Sequence, residues 1–222
     1  MTTTVVTAYY PVGTRKHSRE EYQVWYRNFF KCVTADVVCF CPPEFESEFK
    51  SLARTNHRII VREFNSFDMM SPSMMNVWNT FHLIDPERHI HSPELYAVWA
   101  AKQEFVRNAM KITSSDIYVW CDIGCFRSIR HGDFSKTSDY VMPSKITYLF
   151  VENYFGAGVL AGDKNAWDIF TTNYIRSLTE SPHGKEQTVY ARILNSDNSV
   201  RIIANGQFGD PWFHLTSLFS SH

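Results

Sequence analysis

Asp122 follows an almost wholly apolar run, Asp116-Ile117-Tyr118-Val119-Trp120-Cys121, and is followed by Gly124, Arg127 and Arg130. An acid and two bases gathered just past such a run point to a site for a metal and a phosphate. A carboxylate holds a hard divalent cation, and arginine's forked donors match phosphate oxygens. The same spacing also suits an ordinary exposed ion pair between Asp122 and Arg127. Lys102 falls within the apolar stripe of a helix that starts at Ser92. Either its stem packs while the ammonium reaches water, or the cation is aimed at a phosphate or carboxylate inside the fold. Further on, Phe155-Gly156-Ala157-Gly158 through Gly162 brings glycine-rich backbone close to something.

These residues need a scaffold, and the chain alternates the elements of one. Val5 and Val6 open a short strand that Pro11 and Gly13 end. Ser18 and Glu21 form a capping box ahead of Tyr22, Trp25, Tyr26, Phe29, Phe30 and Val33, which recur on one helical face. Val37 to Phe40 reads as a strand stopped by Pro42 and Pro43, Glu44 to Arg54 as a helix, and Arg58 to Val61 as a strand. The methionine-rich Phe67 to Asn76 reads as irregular. Ser92-Pro93-Glu94 then starts a helix marked by Leu95, Val98, Trp99, Val106, Ala109 and Met110. The run up to Cys121 is apolar on both faces, as a central strand must be. Asp122 therefore stands at the carboxyl end of a central strand, where open α/β sheets bind ligands. Ile146 to Val151 reads as a strand, Ala166 to Leu178 as a helical face, Gln187 to Leu194 as a short helix and Val200 to Ala204 as a strand. Gly206 to His214 reads as a loop.

Composition narrows the function classes. The 222 residues are 44% hydrophobic and 15% aromatic, enough for one sizeable core. Twenty-two basic residues against 23 acids leave a net charge of −1, without the broad basic field that nucleic-acid binding needs. The longest apolar runs are too short for a transmembrane segment, and the first residues lack a secretory pattern, so a cytoplasmic protein is expected. The five cysteines, Cys32, Cys39, Cys41, Cys121 and Cys125, fit reduced thiols better than a disulfide framework.

Two motifs carry a family resemblance. His91-Ser92-x-Glu94-Leu95-x-x-Val98-Trp99-x-x-Lys102-x-x-Phe105-Val106 and Tyr118-Val119-Trp120-Cys121-Asp122-Ile123-Gly124-Cys125-Phe126-Arg127 resemble the HtrL/YibB-like family. That family is similar to nucleotide-sugar-dependent glycosyltransferases of the GT-A fold. The resemblance implies a single α/β domain over 1–222, with a mostly parallel, Rossmann-like sheet flanked by helices. Residues 1–130 would form a nucleotide-binding half, and 131–222 a half for donor sugar and acceptor. It implies transfer of a sugar from a nucleoside diphosphate, a uridine one, to a glycan or lipid-linked glycan acceptor.

The resemblance also implies roles. Asp122 stands where such enzymes place the first acid of an Asp-x-Asp metal motif, but Gly124 occupies the second acid's position. A lone carboxylate grips Mn²⁺ or Mg²⁺ less firmly. His214, in Gly209-Asp210-Pro211-Trp212-Phe213-His214, would be a co-ligand, or else a histidine packed in an aromatic tail. Thr7, Ala8, Tyr9 and Tyr10 would hold base and ribose, although Tyr9 and Tyr10 equally suit the two faces of a strand end. Gly156 and Gly158 would approach donor sugar or acceptor, while Lys102 and Arg127 support phosphate or position Asp122. Glu186, in Lys185-Glu186-Gln187, then Asp163 and Asp210, are candidate bases for the acceptor hydroxyl. Asp163 is also well placed to cap a helix. A catalytically silent module that binds a sugar nucleotide or a partner is the alternative. A dinucleotide loop at Gly156-x-Gly158-x-x-x-Gly162 has lengthened spacing, and His82, His89 and His91 or the cysteines lack zinc-motif spacing.

Overall fold

The alternation of short β-branched runs with capped amphipathic segments folds into one mixed sheet covered on both faces. The computed structural model describes residues 1–12, 17–129, 132–181, 183–194, 198–204 and 210–221. Four strands come from the first half, β1 (Thr3–Ala8), β2 (Asp36–Cys41), β3 (His57–Val61) and β4 (Ile117–Cys121). Three come from the second, β5 (Ile146–Val151), β6 (Tyr154–Gly162) and β7 (Ser199–Ile203). Their order is β3-β2-β1-β4-β6-β5-β7. All neighbours pair in parallel except β6, which runs antiparallel to both β4 and β5. The two halves of the chain thus share a single sheet.

Helix α1 (Arg19–Cys32) starts on the capping box read from the sequence, with the Glu21 amide donating to Ser18 Oγ and the Ser18 amide donating to the Glu21 carboxylate. It buries Trp25, Tyr26, Phe29 and Phe30 against one sheet face, where Val5, Val37 and Val119 point. Val6, Phe40 and Trp120 point to the other face, under α4 (Pro93–Ala100), α5 (Lys102–Ile112), α6 (Lys164–Glu180) and α7 (Glu186–Ile193). Period-two alternation on the central strands thus feeds two apolar layers.

Several sequence expectations are corrected. Helix α2 is shorter than Glu44 to Arg54, a 3₁₀ turn at Pro43–Phe45 leading into Glu46–Leu52. The methionine-rich stretch is not irregular throughout, because α3 (Pro72–Ile84) begins there with proline in its first turn. The helix starting after Ser92 is two, α4 ending at Ala100 and α5 starting at Lys102, with Ala101 between them. The glycine-rich Phe155 to Gly162 is strand rather than loop. Of the loop expected at Gly206 to His214, residues 206–209 lie outside the described residues. Pro211–Phe213 is a 3₁₀ turn that runs into α8 (His214–Leu218). No helix among the described residues is long and apolar enough to cross a membrane.

Candidate functional site

The sheet order sets the site. From β1 the chain crosses through α1 to β2 on one side, whereas after β3 it returns to β4 on the other side of β1. The carboxyl ends of β1 and β4 therefore flank the point where the winding reverses, and a crevice opens there. Val6 pairs with Trp120, so the chain leaves β1 at Ala8 beside the place where it leaves β4 at Asp122. The Asp122 amide donates to the Gly158 carbonyl at 2.7 Å, which ties the acid to antiparallel β6.

The Asp122 side chain is held from below. Trp120 Nε1 donates to Oδ1 at 2.7 Å, and Lys102 Nζ lies 3.0 Å from the same oxygen. Lys102 is 1% exposed, and its ammonium also donates to the Ala157 carbonyl at 2.9 Å and to Glu186 Oε1 at 3.0 Å. The reading of Lys102 as a cation aimed at a carboxylate inside the fold therefore holds, and the reading with its ammonium in water does not. Burial is the largest influence on the ammonium and works against its charge. Asp122 and Glu186 outweigh it and raise the Lys102 pKa. Glu186 is buried as well; burial first, then the charge of Asp122, push its pKa up to about 8 against the pull of Lys102.

Two clefts meet at this acid, one of about 560 Å³ and one of about 400 Å³. Asp122, Arg127, Trp99, Tyr22 and Phe213 line both. The smaller cleft runs under the end of β1, past Ala8, Tyr9, Tyr10, Arg19 and Gly124, with Lys102 in its wall. The larger runs past Gly158, Glu186, Gln187 and Asp210 toward His91. Arg127 does not pair with Asp122. Its guanidinium lies 4.8 Å over the Trp25 ring and 5.1 Å over the Phe213 ring and makes no ion pair among the described residues. A stacked guanidinium with free forked donors at the mouth of both clefts is suited to a phosphate.

The remaining expected residues fall elsewhere. Thr7 is fully buried and lines neither cleft. Tyr9 packs with Tyr26, Phe45 and Phe49 on one sheet face, while Tyr10 stacks on Phe105 on the other, so both rings belong mainly to the core. Gly156 serves the β5–β6 bulge, where an added Cβ would meet the Leu149 Cβ at 3.0 Å. Asp163 caps α6, accepting from the Ala166 amide at 2.7 Å, and lines neither cleft. Asp210 lines the larger cleft but accepts from the Trp212 amide, capping its own turn. Arg130 and Gly209 lie outside the described residues.

Of the two expected metal ligands, Asp122 lines both clefts and His214 neither. His214 is 3% exposed at the head of α8 and lines neither cleft. Asp122 offers a carboxylate already bonded to an indole and paired with an ammonium, and Gly124 supplies no oxygen from its side chain. A hard dication asks for several oxygens, and a buried ammonium 3.0 Å away competes with it electrostatically. Among the described residues, the group of three potential ligand atoms within 4.8 Å of one another is Asp85, Glu87 and His91. His82, His89 and the cysteines form no such group.

That loop is what sequence reading missed. Asp85 Oδ2 accepts from Tyr96 Oη and lies 2.8 Å from His91 Nδ1, and Asp85 Oδ1 accepts from the Glu87 amide at 2.8 Å. Burial is the largest influence on Asp85 and opposes its charge, but these hydrogen bonds hold its pKa down to about 2. Glu87 in turn pairs with Lys185, next to Glu186. The His91-Ser92 start of the first motif was visible, but its partner six residues upstream had no spacing signal.

No family model matches the chain, and no curated protein does, so the resemblance carried by residues 91–127 finds no counterpart there. Among solved structures, the chain is similar to a glycosyltransferase involved in the glycosylation of the major capsid of PBCV-1, with a TM-score of 0.46 and 9% identity over 91% of this chain and 82% of that one. It is also similar to 4-diphosphocytidyl-2C-methyl-D-erythritol synthase from Anaerococcus prevotii, with a TM-score of 0.45 and 10% identity over 92% of this chain and 88% of that one. A third is a manganese complex of Rv0371C from Mycobacterium tuberculosis, with a TM-score of 0.43 and 9% identity over 96% of this chain and 97% of that one.

Proposed function

We propose that this chain is a glycosyltransferase that moves a sugar from a nucleoside diphosphate, a uridine one, to a glycan acceptor. One observation carries the reading: Asp122, at the switch point of the sheet, joins an aromatic and cationic cleft to one rich in carboxylates. The first suits a base between aromatic rings, with phosphates at Arg127. The second suits a neutral polyhydroxyl ligand, because ionised carboxylates are pure acceptors for hydroxyl donors. Tyr22 and Trp99, rather than Tyr9 and Tyr10, are the rings available to a base.

In this reading the donor's glycosidic bond to phosphate breaks with its electron pair leaving on the diphosphate. Arg127 stabilises that charge with preorganised donors. Asp122 and Glu186, immobilised by Lys102, orient sugar hydroxyls in the larger cleft. A manganese or magnesium ion, where one is needed, would find at Asp122 a single carboxylate with a lysine as its competitor.

The missing second acid and the lysine-matched Asp122 also favour a binding module without turnover. Calorimetry with UDP and UDP-hexoses, with and without Mn²⁺, combined with UDP release over time, separates the two. A transferase binds the donor and releases UDP, and Asp122→Asn abolishes release. Binding without release selects the module; no binding of any uridine or other nucleoside diphosphate overturns both.

A further inference from the structure

The larger cleft contains a second, unassigned constellation on the loop between α3 and α4. His91 lines the cleft, and its Nδ1 is committed to Asp85 at 2.8 Å. Asp85 is itself fixed by Tyr96 Oη and the Glu87 amide, so its carboxylate cannot swing away. An ionised carboxylate only accepts, so the neutral imidazole carries its proton on Nδ1 and leaves the Nε2 lone pair outward. Nε2 bonds to no described residue, and the side chain, 6% exposed, borders the larger cleft.

The dyad is anchored to the Glu186 segment at two points. Lys185 pairs with Glu87, and Gly184 packs so closely on Tyr96 that an added Cβ would lie 2.9 Å from the ring. His91 and Glu186 thus face one cavity from adjoining, mutually braced segments. Glu186 itself is committed to the buried Lys102 ammonium, which donates to Oε1 and lies 3.0 Å from Oε2, so neither oxygen is left to an acceptor hydroxyl as His91 Nε2 is. A carboxylate-oriented imidazole with one free nitrogen is the arrangement that removes a proton from a hydroxyl.

We propose that His91, oriented by Asp85, is the catalytic base that activates the acceptor hydroxyl; this rests on the transferase reading above. The hydroxyl proton passes to Nε2 as its oxygen forms a bond to the anomeric carbon. The bond from that carbon to the phosphate oxygen breaks, and its electron pair leaves with the nucleoside diphosphate. The imidazolium, stabilised by Asp85, then returns its proton to solvent.

The test uses UDP-glucose and UDP-galactose as donors, water as acceptor, and the full chain. His91→Gln is expected to bind UDP as the wild type does while UDP release falls about 10²–10⁴-fold, the span of general-base catalysis. Asp85→Asn is expected to lower release with UDP affinity kept. Nitrogen-15 spectra of histidine-labelled wild type, with the His91 signals identified by their loss in His91→Gln, should show the Nδ1–H tautomer. Release by His91→Gln at the wild-type rate, or an Nε2–H tautomer at His91, overturns the assignment and leaves the transferase reading standing. Wild type that binds no nucleoside diphosphate overturns that reading and the assignment with it. Should His91→Gln not fold, the tautomer, assigned through Asp85→Asn, decides.

Discussion

Lys102 Nζ and Glu186 Oε1 lie 3.0 Å apart across 84 residues of sequence, both buried, with Glu186 in the wall of the larger cleft. The same ammonium serves Asp122, so two carboxylates share one cation and the trio is one proton short of neutrality when both are ionised. The more deeply buried acid takes that proton most readily. This is why Glu186 is pushed up to about 8 beside an ammonium, by burial first and by Asp122 second.

A pH dependence follows from that pairing. The native state holds the Glu186 proton up to about pH 8, while the unfolded chain gives it up near its ordinary value of 4.5. Between those values the native state binds more protons, so this group's contribution to stability falls as pH rises. Urea denaturation from pH 5 to 8.5 should show wild type losing stability relative to Glu186→Gln, which lacks that proton. Parallel curves for the two proteins would refute the assignment.

Lys102→Met probes the same trio from the other side. It removes the cation from buried Glu186 and from Asp122, which is about a third exposed, and should cost up to the roughly 3–5 kcal/mol of breaking a fully buried pair. Because the cost comes from stranded charge, Lys102→Met with Glu186→Leu should recover a substantial part of it. Asp122→Ala should also cost measurable stability, though less than Lys102→Met because Glu186 still faces the ammonium. The readout is the denaturation midpoint at constant slope.

What could be read from the sequence and what could not divide along local and long-range physics. The α1 capping box, the apolar β4 run and the position of Asp122 at its end are encoded within a few neighbouring residues, and the structure has them all. Lys102 left two readings open because its carboxylates lie 20 and 84 residues away in sequence. Helix α3 was hidden because its polar residues, Ser73, Asn76, Asn79, Thr80 and His82, are scattered among its methionines without a clear polar face. At Asp163 the structure shows the helix cap that its sequence position already offered, whereas the bulge at Gly156 depends on its cross-strand partner Leu149 and had no local signal.

Arg127 should matter for ligand and little for folding. It is exposed and packs its guanidinium between Trp25 and Phe213 without an acidic partner among the described residues. Hydrogen bonds to a charged group contribute about 1.5–3 kcal/mol, so Arg127→Ala should weaken UDP binding by roughly tenfold to a hundredfold. Arg127→Lys keeps the charge but loses the fork and the stack, and should fall between the two. Calorimetric titration with UDP checks this, and equal affinity in all three proteins would remove phosphate from the role of Arg127.

Two glycines should respond oppositely to one methyl group. At Gly184 an added Cβ would lie 2.9 to 3.0 Å from three ring carbons of Tyr96, a fully buried side chain whose hydroxyl fixes Asp85. Neither ring nor backbone can give way freely, so Gly184→Ala should cost about 1–3 kcal/mol, as overpacking does. It should also disturb His91 through Asp85, lowering turnover in the surviving folded protein. At Gly158 the added Cβ would meet Phe213 at 3.4 Å and Asp122 Oδ2 at 3.5 Å, ordinary contacts. Gly158→Ala should therefore fold within about 0.5 kcal/mol of wild type, yet place a methyl beside the acid where the two clefts join. Thermal unfolding separates the pair, and UDP-hexose affinity then shows whether the floor at Gly158 is occupied by ligand. Unchanged affinity in a stably folded Gly158→Ala would mean that the donor does not approach Asp122 from this side.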